Sequence, residues 1–487
     1  MNYNITNVQI ISPKEVVTIK KIITLMLVLT MTFSLCACGR DAQQPDDDAS
    51  KKGLQVGYAK VSITPHFSVG LGGYSDDNIR SSEGFLEYIY ATCIAVTSGE
   101  ETILIYTIDS LNVENPITSE IRDRSSDATG IPSDKIFVGA THGHNLPVVF
   151  GNYQNVEQYN TLFFNATVEA AKKALEDQAP AQLLQAKANH EGMNFVRHYT
   201  LDDGTHVDNS TASGIDVNRL VGHPLPSDNQ MVLVKFDREG DKKDILMVNW
   251  QSHPDSAKEI GYNSISPGFV GPMRNKLEKD TGMLVAYFTG ASGNQVPNSR
   301  IPSERHSYDW FTYGEALADC AASMIDDLKA VEDTTVKSTH TILPVDVNHE
   351  KDHMAKEAKE VYDLWLSSGK DAATALGKTY GFSSTFEARS VFRASEMGEH
   401  IDMDVGAFRI GDIGFTNGTY EMFSTNGIFV KENSPFDTTF IIAGCSTYVA
   451  SDFAYTYHCY ERTNGYYARG AAEELADNYI TMLNSLK

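Results

Sequence analysis

The chain has 487 residues, 41% of them hydrophobic, enough for one large α/β domain with insertions or for two or three domains. Its 64 acidic residues against 40 Lys and Arg give a net charge of −24. That balance excludes a basic phosphate-binding surface, so no nucleic acid is expected as partner, and it offers no electrostatic adhesion to an anionic membrane.

At the N-terminus, Lys14, Lys20 and Lys21 precede the apolar run IITLMLVLTMTFSLCACG. A basic start, an apolar middle and a small-residue end describe an export signal. As a retained anchor the run barely reaches the roughly 20 residues that a membrane span needs. The tetrapeptide LCAC, Leu35 to Cys38, resembles a bacterial lipoprotein box. That implies a signal peptide over 1–38, lipidation at Cys38 and an extracytoplasmic protein held at the membrane by its lipid, with secretion as the alternative. The polar stretch 39–53, GRDAQQPDDDASKKG, predicts a flexible tether, and 54–487 a single domain. Beyond Cys38 stand Cys93, Cys320, Cys445 and Cys459, with no CxxC pair to indicate a cysteine metal knuckle. An oxidising compartment permits a disulfide among them without assigning one.

Along that domain, β-branched apolar runs predict strands at 102–109 (TILIYTID), 135–141 (KIFVGAT), 230–237, 245–253, 283–292, 413–421 and 438–446. Helical patterns lie between them at 159–178 and 268–282, and the last residues, 468–487, predict a closing amphipathic helix. The Ala-, Lys-, Glu- and Met-rich segment 350–398 predicts a helical insertion. Strands alternating with helices indicate an α/β fold, with a mixed central sheet or sheets covered by helices.

Polar residues of reactive type recur just after these strands: His142 and His144 in ATHGHNLP, His253 in NWQSHPDS, Asn294 in TGASGN, Glu421 in NGTYE and Tyr448 in GCSTY. In open α/β sheets, ligands bind outside the carboxyl ends of strands. Two histidines one residue apart share a face if the strand continues. Both can then hold a metal, or one can hold it while the other moves a proton, or they are a polar strand end and nothing more. His253 reads equally as a strand-end histidine bonded to backbone, Glu421 as a helix N-terminal carboxylate and Tyr448 as a half-buried aromatic. Together, imidazoles and a carboxylate suit Zn²⁺, whose catalytic sites keep one position open for water.

In order along the chain, VGYAKVSITP, GLGGYSDDNIRSSEGFLEYIYATCIAV, IFVGATHGHNLP, VNWQSHPDS, FTGASGNQVPN, GTYEMFSTNG and YVASDFAYTYHCYE resemble the catalytic domain of the neutral/alkaline non-lysosomal ceramidases, zinc-dependent amidases. The resemblance covers roughly 56–487 and implies zinc ligation by His142, His253, Glu421 and Tyr448. It implies for His144 a role beside the metal, stabilising an oxyanion or moving a proton. Phenolate is an uncommon zinc ligand, so Tyr448 reads also as a hydrogen-bond donor near the metal. Asn294 is expected to orient the metal shell or meet substrate, and Arg80 and Arg197 to bind a polar substrate end or to form structural ion pairs. The family's GDVSPN stretch is GNQVPN here, so its acid and serine are replaced by Asn294 and Val296. Gly268 stands where a further acid is expected and THTHSGP has become THGHNLP; the family's C-terminal immunoglobulin-like domain is not expected to follow. The implied activity is metal-dependent hydrolysis of an N-acyl amide, ceramide or another N-acylated amine. The alternatives are an ester or phosphoester hydrolase on the same centre, and a lipoprotein that binds lipid or sugar without turnover.

Overall fold

The computed structural model describes residues 53–74, 80–255 and 261–487. The expected export segment, Cys38 and the tether up to residue 52 lie outside the described residues. The predicted runs become strands and helices, and the larger sheet is built first. It comprises β1 (Leu54–Ser62), β2 (Tyr90–Ser98), β3 (Glu101–Ile108), β4 (Ile136–Ala140), β5 (Ala179–Asn189), β6 (Gln230–Arg238), β7 (Ile245–Trp250) and β8 (Leu284–Thr289). Their order is β8-β7-β6-β5-β1-β2-β3-β4, and the short β9 (Lys329–Val331) also pairs with β5. Only the two ends of this nine-stranded sheet are parallel, β7 with β8 and β3 with β4.

The sequence reading expects central sheet cover by helices on both faces; the structure has a second sheet against one of them. β10 (Val336–Asp346), β11 (His400–Ile410), β12 (Ile413–Gly418) and β13 (Thr438–Ala443) run in that order, with β12 and β13 parallel. The two sheets share a core in which Ile105, Phe137, Val234 and Met247 meet Phe408, Phe415 and Phe440. Phe408 and Phe415 stack with centroids 4.5 Å apart. At Gly139 of β4 a Cβ would lie 2.6 Å from Ile442 Cγ2, so glycine there is what lets the sheets close.

Helices complete the layers. α1 (Ile117–Thr129) and α2 (Val156–Glu176) cover the outer face of the β1–β4 half, and α3 (Val270–Thr281) and α4 (Trp310–Ser323) cover β6–β8. In α2 the buried set Tyr159, Phe163, Phe164, Ala166, Thr167, Ala170, Ala171 and Ala174 follows helical spacing, aromatic toward the first turns and small toward the last. The predicted insertion is α5 (Ala355–Ser368), α6 (Lys370–Tyr380) and α7 (Thr385–Ser395), which connect β10 to β11 around a small core at Trp365. α8 (Ser424–Asn433) and α9 (Ala471–Leu486) pack on the smaller sheet. The described residues form one compact unit, and no helix among them is long and apolar enough to cross a membrane. Cys93, Cys320, Cys445 and Cys459 are all free thiols.

The larger sheet curls until its two parallel ends meet. Thr107 Oγ1 of β3 donates to Tyr287 O of β8 at 2.5 Å, and Thr289 Oγ1 to Thr141 O at 3.1 Å. Buried Asn249 donates to Phe288 O and Ile441 O, and buried Asn417 to Val138 O and Ile442 O, fastening β13 to both ends. Three parallel pairs therefore present their carboxyl ends to one place.

One buried and one part-buried ion pair hold this frame. Asp109, just past β3, takes both terminal nitrogens of Arg274 from α3 at 3.0 and 2.8 Å, and also accepts from Thr141 Oγ1 and Tyr90 N–H. With both side chains under 5% exposed, Asp109→Ala leaves a buried guanidinium unpaired and should cost about 3–5 kcal/mol in urea unfolding. A loss below about 1 kcal/mol would show that the pair is not holding the strand end. Asp404 of β11 accepts from Arg122 of α1 at 2.5 Å and from His340 at 2.7 Å. Burial alone would raise its carboxyl, but His340 and Arg122 outweigh burial and bring it down to about 2. A depressed carboxylate stabilises the fold above its unfolded pKa, and that contribution is lost as pH falls through the folded value. Asp404→Asn should therefore be less stable than the parent by about 2 kcal/mol at pH 5, with the two converging near pH 2 in denaturant titrations. A gap independent of pH would contradict this.

Candidate metal centre

The expected residues converge where the parallel strands end. β4 stops at Ala140, and His142 follows with φ = 66°, a left-handed backbone that few non-glycine residues adopt. This corrects the strand-face argument for the two histidines. The chain has already left the strand, and His142 and His144 meet because it turns back, their Nε2 atoms 3.4 Å apart. His142 N–H is fixed by Ser110 O, so the turn is tied to the loop after β3. His253 follows β7 and its N–H donates to Gln295 O. Glu421 follows β12, and Tyr448 follows β13. The two face each other in register in a short parallel bridge, Glu421–Met422 with Tyr448–Val449.

The outer nitrogens of the two buried imidazoles fix their protons. His142 Nδ1 lies 2.6 Å from Leu111 O and His253 Nδ1 3.0 Å from Ser292 O. A carbonyl only accepts, so each Nδ1 carries a hydrogen, and in the neutral ring each Nε2 presents a lone pair. Those lone pairs point at one another across 3.0 Å. Glu421 Oε2 lies 3.4 Å from both, buried and accepting no hydrogen bond. A tetrahedral Zn²⁺ with donors at about 2.0–2.1 Å sets them roughly 3.3 Å apart, so the triangle fits that ion. Without a cation, one proton has to serve the group. Burial opposes charge on His142, but Glu421 outweighs it and raises its pKa, while burial and then Arg197 push His253 well down.

Tyr448 Oη stands 3.5 Å from His253 Nε2 and 3.1 Å from Arg197 Nη2. Burial first, then Glu421, raises its phenol well above the usual value. His144 is a different imidazole. Burial holds its pKa down at about 3, so it is neutral, and its Nδ1 is buried without a partner. The ligand atoms of His142, His144 and His253 all lie within 4.8 Å of one another. Glu421 makes the tighter triangle with His142 and His253, which leaves His144 beside it.

Above this group opens a cavity of about 950 Å³ whose wall includes His144, Tyr448, Tyr460, Arg80 and Arg197. Lys370 and Phe386 of the helical insertion reach the same cavity. Arg80 and Arg197 are both engaged by the protein. Arg80 donates to the carbonyls of Tyr262, Gly72 and His144, and Arg197 to Glu461, to Gly293 O and to Tyr448. Asn294 is fully buried and is not among the residues lining the cavity. Its Oδ1 accepts from Ser424 N–H at 2.8 Å and its amide reaches Ser424 Oγ at 3.3 Å, tying the β8 loop to the start of α8 behind Glu421. Val296 pairs with Phe195 in a two-residue antiparallel bridge. Gly268 has φ = 65°, a conformation that suits glycine.

Sequence reasoning missed Tyr460, whose ring lies 5.9 Å from that of Tyr448, and Glu461, which takes Arg197 Nε at 2.6 Å. Both close the segment YVASDFAYTYHCYE, so the signal was on the page. It lay in residues that are ordinary types for a buried loop.

The sequence matches no protein-family model and no curated protein. Two solved structures share the architecture. One is neutral ceramidase from Pseudomonas aeruginosa, 16% identical with a TM-score of 0.65 over 89% of this chain and 75% of that one. The other is a ceramidase complexed with C2, 14% identical with a TM-score of 0.66 over 89% of this chain and 76% of that one. The mixed sheets and the helical cover of this chain are therefore those of the neutral ceramidase fold.

Proposed function

We propose that this chain is a member of the neutral ceramidase family that hydrolyses an N-acyl amide with Zn²⁺ held by His142, His253 and Glu421, Tyr448 completing the set. The observation that carries this reading is the pair of Nε2 atoms 3.0 Å apart, each opposite an Nδ1 engaged by a backbone carbonyl, beside a buried carboxylate oxygen with no hydrogen-bond partner. Nothing in a binding site without turnover calls for that arrangement, and a divalent cation resolves it. Bound there, zinc supplies an acidified water and draws charge from the amide carbonyl.

The chain's own groups do the rest. His144 is neutral and half-buried at the cavity wall, able to offer an N–H to the oxygen on which charge develops. Arg80 holds the His144 carbonyl and so the position of that ring. Arg197 sits against Tyr448, where its charge steadies the phenol oxygen and leaves the guanidinium edge toward substrate. Asn294 acts as a positioning residue, holding the backbone that follows Glu421. The positions where the resemblance expects an acid and a serine are structural here, which supports an N-acylated amine other than ceramide as substrate. Lipidation at Cys38 would place the enzyme at a membrane surface outside the cytoplasm, where acylated amines are met.

The purified full chain should hydrolyse members of a panel of N-acyl amides, from ceramide to N-acyl amino acids. Chelation should abolish the activity and zinc restore it. Activity that survives complete metal removal, or no hydrolysis across the panel, would contradict the reading. Within the active protein, His144→Ala should keep its metal and lose about 10²–10³-fold in kcat, the scale of one oxyanion donor. Loss of metal instead would make His144 a ligand.

A further inference from the structure

A second group of metal-ligating side chains lies beyond Arg197. His198, Cys459 and Glu461 are all buried, and their ligand atoms fall within 4.8 Å of one another. His198 Nε2 is 3.0 Å from Glu461 Oε2, Cys459 Sγ is 3.1 Å from the same oxygen, and Sγ to Nε2 is 3.9 Å. Tetrahedral Zn²⁺, with sulfur at about 2.3 Å and nitrogen or oxygen at about 2.0–2.1 Å, separates such donors by roughly 3.3–3.7 Å. We propose that His198, Cys459 and Glu461 form a second, structural Zn²⁺ site that shares no ligand with the His142 centre.

The surroundings suit a cation. His198 Nδ1 lies 2.5 Å from Tyr457 Oη, so with Nε2 on the metal the Nδ1–H donates to the phenol oxygen, as an outer partner of a ligating histidine does. The imidazole is held edge-on by Phe423 and Tyr457. Glu461 Oε1 is occupied by Arg197, leaving Oε2 for the ion. A Cys459 thiolate and the Glu461 carboxylate balance the two positive charges of zinc. Buried Asp208 accepts from Tyr460 N–H at 2.6 Å and faces His198 across an antiparallel strand pair. Binding exchanges the Cys459 thiol proton, released to solvent, for the metal. Glu461 also borders the cavity, which gives a water access to the fourth position. The thiolate favours zinc over hard cations such as Mg²⁺ or Ca²⁺. The function is to clamp the segment carrying Tyr448 and Tyr460 onto the strand that starts at His198, next to Arg197.

Metal-free, the same groups satisfy one another: Cys459 donates to Glu461, His198 donates to Glu461 and Tyr457 donates to His198. The experiment must separate that network from a metal site. The full chain, stripped and reloaded with Co²⁺, should take two equivalents and show thiolate-to-cobalt charge-transfer absorption in the near ultraviolet. Only this cluster contains a sulfur. His142→Ala should lose one equivalent and keep the band, and Cys459→Ser should lose the other equivalent and the band. One equivalent with no thiolate band in the parent, or no metal at all, overturns the proposal and leaves a hydrogen-bonded network. The parent and His142→Ala decide the matter even if Cys459→Ser does not fold. Failure of the His142 centre alone would leave the band intact.

Discussion

The structure depends on a constraint set by two carbonyls. Leu111 O and Ser292 O each take the Nδ1 proton of a buried histidine, so both Nε2 lone pairs are turned inward against each other and against Glu421. Electrostatics alone would drive those three acceptors apart, because in a buried site their repulsion is poorly screened. A cation converts the repulsion into attraction, and the backbone that fixes the outer nitrogens is then the means by which the fold specifies the site. His142 pays for its place with a left-handed backbone, and such outliers persist where the surroundings over-determine them.

The fold solves a convergence problem. Ligands come from three parallel strand pairs in two sheets, and two of those pairs sit at opposite ends of one sheet. Curling the sheet, and stitching its ends with Thr107, Thr289, Asn249 and Asn417, brings the carboxyl ends together. Behind the ligands lies a further ring of polar support. Asn294 holds the segment after Glu421, Arg197 ties Tyr448 to Glu461, and Arg80 holds the chain at His144. The helical insertion brings Lys370 and Phe386 to the cavity, so the elements least like a catalytic core help shape what enters it.

Much of this was legible before the structure. The apolar runs ended within a few residues of the observed strands, the 350–398 insertion is helical, and the residues placed after strand ends do meet. The second sheet was only half legible: β12 and β13 fall on predicted runs, while β10 and β11 do not. β10 is exposed or half-exposed along most of its length, and β11 begins exposed and polar and is fully buried only over its second half, which holds a glycine and an arginine. The His142–His144 encounter was expected on the wrong geometry, because a left-handed turn leaves no trace in residue types unless the residue is glycine. Asn294 was expected near the metal or the substrate and instead braces the backbone, a distinction that depends on which neighbour its amide finds. The meeting of Glu461 with His198 and Arg197 escaped notice because these partners lie more than 250 positions apart along the chain.

The most direct test of the account is anomalous diffraction at the zinc absorption edge from crystals of the full chain. The account predicts a peak within bonding distance of His142 Nε2, His253 Nε2 and Glu421 Oε2. Density showing those two histidines bonded directly to each other, with no anomalous signal between them after growth in zinc, would contradict it.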